Sequence, residues 1–170
     1  SVMSGYFNLP EESSYALSED GWLNTGDIGY LADGVLTITG RKKDLIIIHG
    51  RNIWPQDLEH VAESQPEVRS GDAVAFSAPD HEGEEMCVLR VQCRETDTQK
   101  RNNLVRRLTA LMRLEMGLDC YVDLVPIHSL PRTSSGKLSR AKARLDFIAE
   151  YDTERLNGIA EEVRLRAASA

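Results

Sequence analysis

Gly40-Arg41-Lys42-Lys43-Asp44-Leu45-Ile46-Ile47-Ile48-His49-Gly50-Arg51-Asn52-Ile53-Trp54-Pro55-Gln56-Asp57-Leu58-Glu59 is the stretch on which the fold turns. Leu45 to Ile48 is a short apolar strand that Gly50 closes. Pro55 is suited to a first helical turn, and Gln56, Asp57 and Glu59 follow it, with acids matched to the positive end of a helix. Leu58, Val61 and Ala62 supply its apolar face, and Pro66 limits it. Upstream, Asp33-Gly34 is a hairpin turn signal, from which Val35, Leu36 and Ile38 run as a strand to Gly40. The charged run Arg41-Lys42-Lys43-Asp44 lies between two strands. It reads either as a surface turn or as a hinge between domains, where exposed polar residues absorb changes of dihedral angle.

Downstream the pattern continues as strand, strand, helix, strand, loop and helix. Asp72–Ser77 and Met86–Cys93 are strands around the turn-rich Ala78-Pro79-Asp80-His81-Glu82-Gly83. Thr98–Glu115 reads as the longest helix, with Leu104, Leu108, Leu111 and Met112 on one face and Gly117 as its terminator. Tyr121–Ile127 is a strand, Leu130–Lys137 a loop, Ala141–Glu150 a helix, and Thr153–Ala168 a terminal helix. This predicts a small α+β domain, a hairpin plus a three-stranded sheet with flanking helices. Residues 1 to about 32 hold turn formers around short apolar pieces and read as the edge of a domain whose remainder lies elsewhere. The chain opens on Ser1-Val2-Met3 rather than on a starting Met, which reads as an internal start.

The chain has 170 residues and a net charge of −7, which argues against a general nucleic-acid binder. No apolar run approaches the ~20 residues of a membrane span. Three cysteines, Cys87, Cys93 and Cys120, form no CxxC pair and read as buried free thiols, as expected in a reducing cytoplasm. Cys87 and Cys93, six apart in one strand, would share a face. The histidines His49, His60, His81 and His128 are dispersed, with no metal-ligand spacing among them.

Three stretches carry chemistry. In Leu130-Pro131-Arg132-Thr133-Ser134-Ser135-Gly136-Lys137, glycine lets backbone approach a phosphate closely and the ammonium supplies charge. The P-loop spacing is absent, because Pro131 stands where a glycine is needed. Read alone, the loop is equally a polar turn with a solvated lysine. In Thr25-Gly26-Asp27 the carboxylate suits two vicinal ribose hydroxyls, and it also suits an ordinary turn. The third stretch is the charged run at 41–44.

Taken together and in order, Gly21–Leu31 (GWLNTGDIGYL), Gly40–Glu59 and Leu130–Arg140 (LPRTSSGKLSR) resemble the closing portion of the adenylate-forming enzymes. These include acyl-CoA synthetases, nonribosomal adenylation domains and luciferases. The resemblance spans about residues 1 to 150. It implies residues 1–43 as the tail of a large AMP-binding domain, 44–150 as a C-terminal lid domain, and 151–170 as a terminal helix or extension. It implies ATP and Mg2+ as cofactors, the metal held mainly by the large domain. Lys137 would be the catalytic lysine of adenylation, Asp27 and Arg41 the ribose contacts, and Asp44 the hinge. Arg51 and Asn52 would lie near the phosphate or the lid interface.

The wording Gly50-Arg51-Asn52…Pro55-Gln56-Asp57-Leu58-Glu59, with Ser1–Phe7 (SVMSGYF), resembles the fatty acyl-AMP ligases. These pass a fatty acyl group to the phosphopantetheine arm of an acyl carrier protein rather than to CoA. Ile53 and Trp54 depart from the His and Tyr expected there. An acyl-CoA synthetase is the alternative enzyme, and a noncatalytic carrier-protein docking or regulatory domain the alternative of another class. The resemblance also implies a large N-terminal domain as partner, so this piece by itself is expected to be inactive.

Overall fold

A computed structural model of the chain describes residues 3–80, 82–151 and 153–168. Ser1 and Val2 of the opening motif, His81 of the turn at 78–83, and Asp152 and the last two residues of the 151–170 segment lie outside the described residues. The chain divides into two compact units, Ser1–Lys43 and Asp44–Ala170.

The first unit holds helix α1 (Pro10–Ala16) and the antiparallel hairpin of β1 (Asp27–Ala32) and β2 (Val35–Arg41). Asp33 and Gly34 have φ of 50° and 79°, the pair of positive values that a tight two-residue hairpin turn requires. β1 escapes a sequence reading for a physical reason. Five of its six residues are exposed, so neither face imposes an apolar alternation. Ser13 closes α1 onto the preceding loop, its Oγ accepting from the Tyr6 N–H at 2.8 Å.

The second unit begins at Asp44, the last residue of a 3-10 turn (Lys42–Asp44). A two-residue turn at His49-Gly50, again with both φ positive, joins β3 (Ile46–Ile48) to β4 (Arg51–Ile53). Helix α2 (Pro55–Glu63) follows, with Leu58, Val61 and Ala62 buried as its spacing predicts. The main sheet has the order β5 (Ala73–Pro79), β6 (Glu85–Gln92), β7 (Cys120–Val125). β5 and β6 are antiparallel, β6 and β7 parallel. The parallel pair is joined by α3 (Thr98–Leu111), N-capped by Asp97, whose carboxylate accepts the Lys100 N–H at 2.9 Å. Helices α4 (Arg140–Glu150) and α5 (Thr153–Ala168) complete the unit.

Both faces of this sheet are covered, so β5 and β6 are buried almost throughout, with Ser77 and Arg90 as polar interruptions of otherwise apolar segments. Ala73, Ala75, Cys87, Leu89, Val91, Cys120 and Val122 share one core with α2, α3 and the β3–β4 hairpin. Val74, Phe76, Ala78, Met86 and Val88 form the other with α4 and α5. Leu58, Leu89 and Leu108 are fully buried, each contributing about 1.5–3 kcal/mol of transfer free energy.

The expected helix to Glu115 instead ends its α-geometry at Leu111 and finishes as a π-turn over Met112–Met116. Gly117, at φ 58°, then reverses the chain, and Arg51 donates to the carbonyls of Met116 and Gly117 at 2.9 and 2.7 Å. A cation on terminal carbonyls is a C-cap, and nothing local to residues 112–116 announces it.

Cys87, Cys93 and Cys120 are free and buried in one core; Cys93 lies one residue past the end of β6 rather than within it. Cys87 pairs with Cys120 across β6 and β7, their Sγ atoms 2.9 Å apart. That contact and burial push the Cys120 thiol pKa well above its usual range.

On the other face Arg90 is 5% exposed. It donates to Asp123 at 2.7 Å, pairs with Glu150, and lies 5.4 Å from the Phe147 ring centroid. Burial raises the Asp123 carboxyl pKa, with Arg90 opposing it.

Candidate functional site

In the first unit, the expected ribose residues meet at the end of the hairpin. Asp27 and Arg41 are register partners in β1 and β2, and their side chains lie 3.5 Å apart. The turn that presents Asp27 is built by its own side chains. Asn24 accepts from the Gly26 N–H at 3.0 Å, and Thr25 accepts from the Asp27 N–H at 3.1 Å. Gly26, at φ 71°, takes a conformation that glycine reaches without strain, and its carbonyl accepts from the Lys42 N–H at 2.8 Å. Asp27, Arg41, Thr25 and Lys42 line an open cavity of about 1040 Å³ whose wall includes Tyr6 and Tyr15. A carboxylate beside a guanidinium in a concave, part-aromatic surface can accept from hydroxyls while the cation faces an anion.

In the second unit, Lys137 sits on a closed loop rather than a loose one. Arg132 and Leu138 bridge across its base. The Thr133 N–H donates to the Lys137 carbonyl at 2.8 Å, and the Gly136 N–H to the Thr133 carbonyl at 2.9 Å. Gly136 has φ 80° and open space around it, so the backbone there stays accessible. Arg132 ties the loop to the body, donating to the Gly136 carbonyl at 3.0 Å and to the Gly71 carbonyl at 2.7 Å.

Asp44 accepts from Arg140 at 3.2 Å. Arg140 also holds Glu59 through two bonds, at 3.0 and 2.6 Å. Burial raises the Glu59 carboxyl pKa against the lowering by Arg140 and by the Ala75 N–H. Sequence reading missed Arg140 and Glu59, because partners 81 and 96 residues apart leave no local signal.

Arg51 is engaged on the carbonyls after α3. Asn52 is exposed opposite Ile47 in the β3–β4 pair. Ile53, at 6% exposure, belongs to the core, which accounts for an apolar residue at that position. Lys137 and Asp44 therefore lie in one unit, and Asp27 and Arg41 in the other.

Among the described residues no group of three His, Cys, Asp or Glu is placed to hold a metal ion. The described residues therefore offer no cluster suited to a resident magnesium ion. Nor, among the described residues, is any helix long and apolar enough to cross a membrane.

No protein-family model matches the chain. It is 51% identical over 150 residues to a provisionally named acyl-CoA synthetase of Caulobacter vibrioides, a match covering 88% of this chain and 26% of that protein. It is 41% identical over 160 residues to the medium-chain-fatty-acid–[acyl-carrier-protein] ligase JamA of Moorena producens, covering 87% of this chain and 27% of JamA. A solved structure from a study of fatty acyl-adenylate ligases of E. coli and L. pneumophila superposes with a TM-score of 0.77 and 49% identity, covering 88% of this chain and 26% of that one. The chain thus spans about a quarter of the length of the curated relatives it matches.

Proposed function

We propose that this chain, which belongs to the adenylate-forming ligases and matches their C-terminal part, completes the active site of a fatty acyl-AMP ligase. In this reading residues 1–43 are the tail of the large AMP-binding domain, 44–150 the lid, and 151–170 a terminal helical extension. The whole enzyme acts in the reducing cytoplasm, on a fatty acid and ATP supplied with Mg2+. The fatty carboxylate attacks the α-phosphorus, the bond to the bridging oxygen breaks, and pyrophosphate leaves. The phosphopantetheine thiol of an acyl carrier protein, giving up its proton, then attacks the acyl carbonyl; the thioester C–S bond forms, the bond to the phosphate oxygen breaks, and AMP leaves.

The observation that carries this reading is the closed loop that presents Lys137. Two anions must meet, and negative charge grows on the oxygen bridging to pyrophosphate. An ammonium held ready for that charge lowers the barrier without reorganisation at the moment of reaction. Asp27 accepts from the ribose hydroxyls and Arg41 flanks it. Asp44 is the point about which the lid turns, and Arg51 and Asn52 lie at the lid face. The similarity to JamA, whose name specifies an acyl-carrier-protein ligase, and to the fatty acyl-adenylate ligase structure supports a carrier protein as acceptor. The name of the Caulobacter relative favours a second reading, in which the acceptor is CoA. Retention of both Asp27 and Lys137 speaks against a noncatalytic docking domain.

The test uses the full-length protein with Mg-ATP and labelled fatty acids, followed by CoA or holo acyl carrier protein. Acyl-AMP that transfers to the carrier protein alone is the expected result. Efficient acyl-CoA formation selects the second reading, and no acyl-AMP from any acid overturns both. In the same enzyme Asp27→Ala is expected to raise the KM for ATP by about tenfold or more, the loss of hydrogen bonds to a charged acceptor. An unchanged KM removes Asp27 from the nucleotide site.

A further inference from the structure

Arg140, the first residue of α4, stands three residues after Lys137. Its guanidinium faces two carboxylates from separate parts of the second unit. Nε and Nη2 donate to the two oxygens of Glu59 at 3.0 and 2.6 Å, and Nη1 donates to Asp44 at 3.2 Å. All three side chains are shielded, at 20% exposure for Arg140, 12% for Glu59 and 18% for Asp44. Glu59 is fixed in turn by the Ala75 N–H at 3.0 Å. Thus α2, the edge of β5, the first residue of the unit and the first turn of α4 converge on one planar cation. A rigid fork that serves two carboxylates at once is a geometry arginine supplies and lysine does not.

The path from this cluster to the reacting lysine is short. The Ala143 N–H donates to the Ser139 carbonyl, so the helix starts at once after the loop. The Ser139 N–H donates to the Pro131 carbonyl, closing the loop from that side. The Lys137 loop is therefore held at two ends, by Arg132 on Gly71 and by Arg140 on Glu59 and Asp44. Only the second of these reaches the residue at which the unit begins.

We infer that Arg140 is a positioning residue for adenylation: by joining Asp44 and Glu59 to the first turn of α4, it holds the Lys137 loop at a fixed offset from the pivot of the lid. This rests on the proposed roles of Lys137 and Asp44. When the lid turns about Asp44, the lysine is carried on a rigid arm whose length this cluster sets. Loss of the cluster lets the arm shift, and a misplacement of about 1 Å in a reacting group can cost about 100-fold.

The test separates the two half-reactions in the full-length enzyme. Acyl-AMP formation is followed by pyrophosphate release. Acyl transfer is followed from supplied acyl-AMP to holo acyl carrier protein or CoA, a step that does not use Lys137. Arg140→Met is expected to lower kcat for acyl-AMP formation by about tenfold or more. The KM for ATP is expected to hold, and transfer to stay within about threefold of the parent. Arg140→Lys, which keeps the charge and loses the fork, is expected to recover part of the loss, and it is the variant read if Arg140→Met does not fold. A parallel fall of both half-reactions makes Arg140 merely structural and overturns the inference, as does unchanged acyl-AMP formation. Lys137→Ala run alongside distinguishes the two failures. If it abolishes acyl-AMP formation while Arg140→Met and Arg140→Lys do nothing, only the positioning role is lost. If it has no effect, the proposed function falls and the inference with it.

Discussion

Lys137→Ala in the full-length enzyme is expected to cut acyl-AMP formation by about 10²–10³-fold, on the scale of losing one preorganised donor at a developing charge. The magnitude follows from the role proposed for this side chain. Carboxylate and α-phosphate repel as they approach, and the leaving pyrophosphate gathers charge, so one ammonium acts on both. Its effect concentrates in kcat, because the interaction is stronger in the transition state than with bound ATP. Transfer of the acyl group from supplied acyl-AMP should persist, since no phosphoryl bond breaks in that step. Rapid-quench measurement of acyl-AMP beside a transfer assay decides it. A loss shared equally by both steps would mean that the loop, rather than the charge, is what the enzyme requires.

The largest effect on stability is expected from Arg90→Leu. Arg90 is buried between Asp123, Glu150 and the Phe147 ring. The replacement leaves Asp123, at 8% exposure, as a charge without its partner. Breaking such a pair from one side costs about 3–5 kcal/mol. Glu150, more than half exposed, can turn to water, so the cost resides at Asp123.

The pH dependence carries a definite sign. Burial already raises the folded-state pKa of Asp123, and removing Arg90 removes the main opposing influence, so it rises further. A raised carboxyl contributes stability that is fully present below its unfolded pKa and is lost as pH rises through the folded one. The deficit of the variant is therefore greatest at neutral pH and shrinks on acidification. Urea denaturation at pH 7 and pH 5, followed by a probe of the second unit, measures both points. A deficit equal at the two values would refute the account. Replacing Arg90 and Asp123 together by apolar residues should recover most of the loss.

What could be read in advance was whatever depends on neighbours in sequence. Asp33-Gly34 demands a hairpin turn from its own dihedral preferences, and the structure has one. Leu104, Leu108 and Met112 declare one helix face by spacing alone, and all three are buried. The α+β class followed from the order of such elements. Other features are set by contacts that no window contains. Helix α1 and strand β1 carry little burial, so no periodicity marks them. Strand β4 is three residues long and exists through its partner β3. The π-turn after α3 is met at its end by Arg51, more than sixty positions upstream. Among the proposed functional residues, Lys137 and Asp27 stand out because glycine and hydroxyl neighbours mark their loops. Arg140 looks like any helical arginine until Glu59 and Asp44 are brought to it.

The placement of the thiols gives the chain an internal reporter. All three cysteines belong to the second unit, and each is sealed in the core between the sheet and the α2–α3 side. A thiol-alkylating reagent reaches them only when that core opens. The Cys87–Cys120 contact further suppresses the reactive thiolate at Cys120. The labelling rate of the unmodified protein therefore counts openings of the second unit and is silent about the first. Fraying of the hairpin at Asp33-Gly34, or of α1, leaves no covalent trace, while a destabilised β5–β6–β7 core records every excursion as added mass.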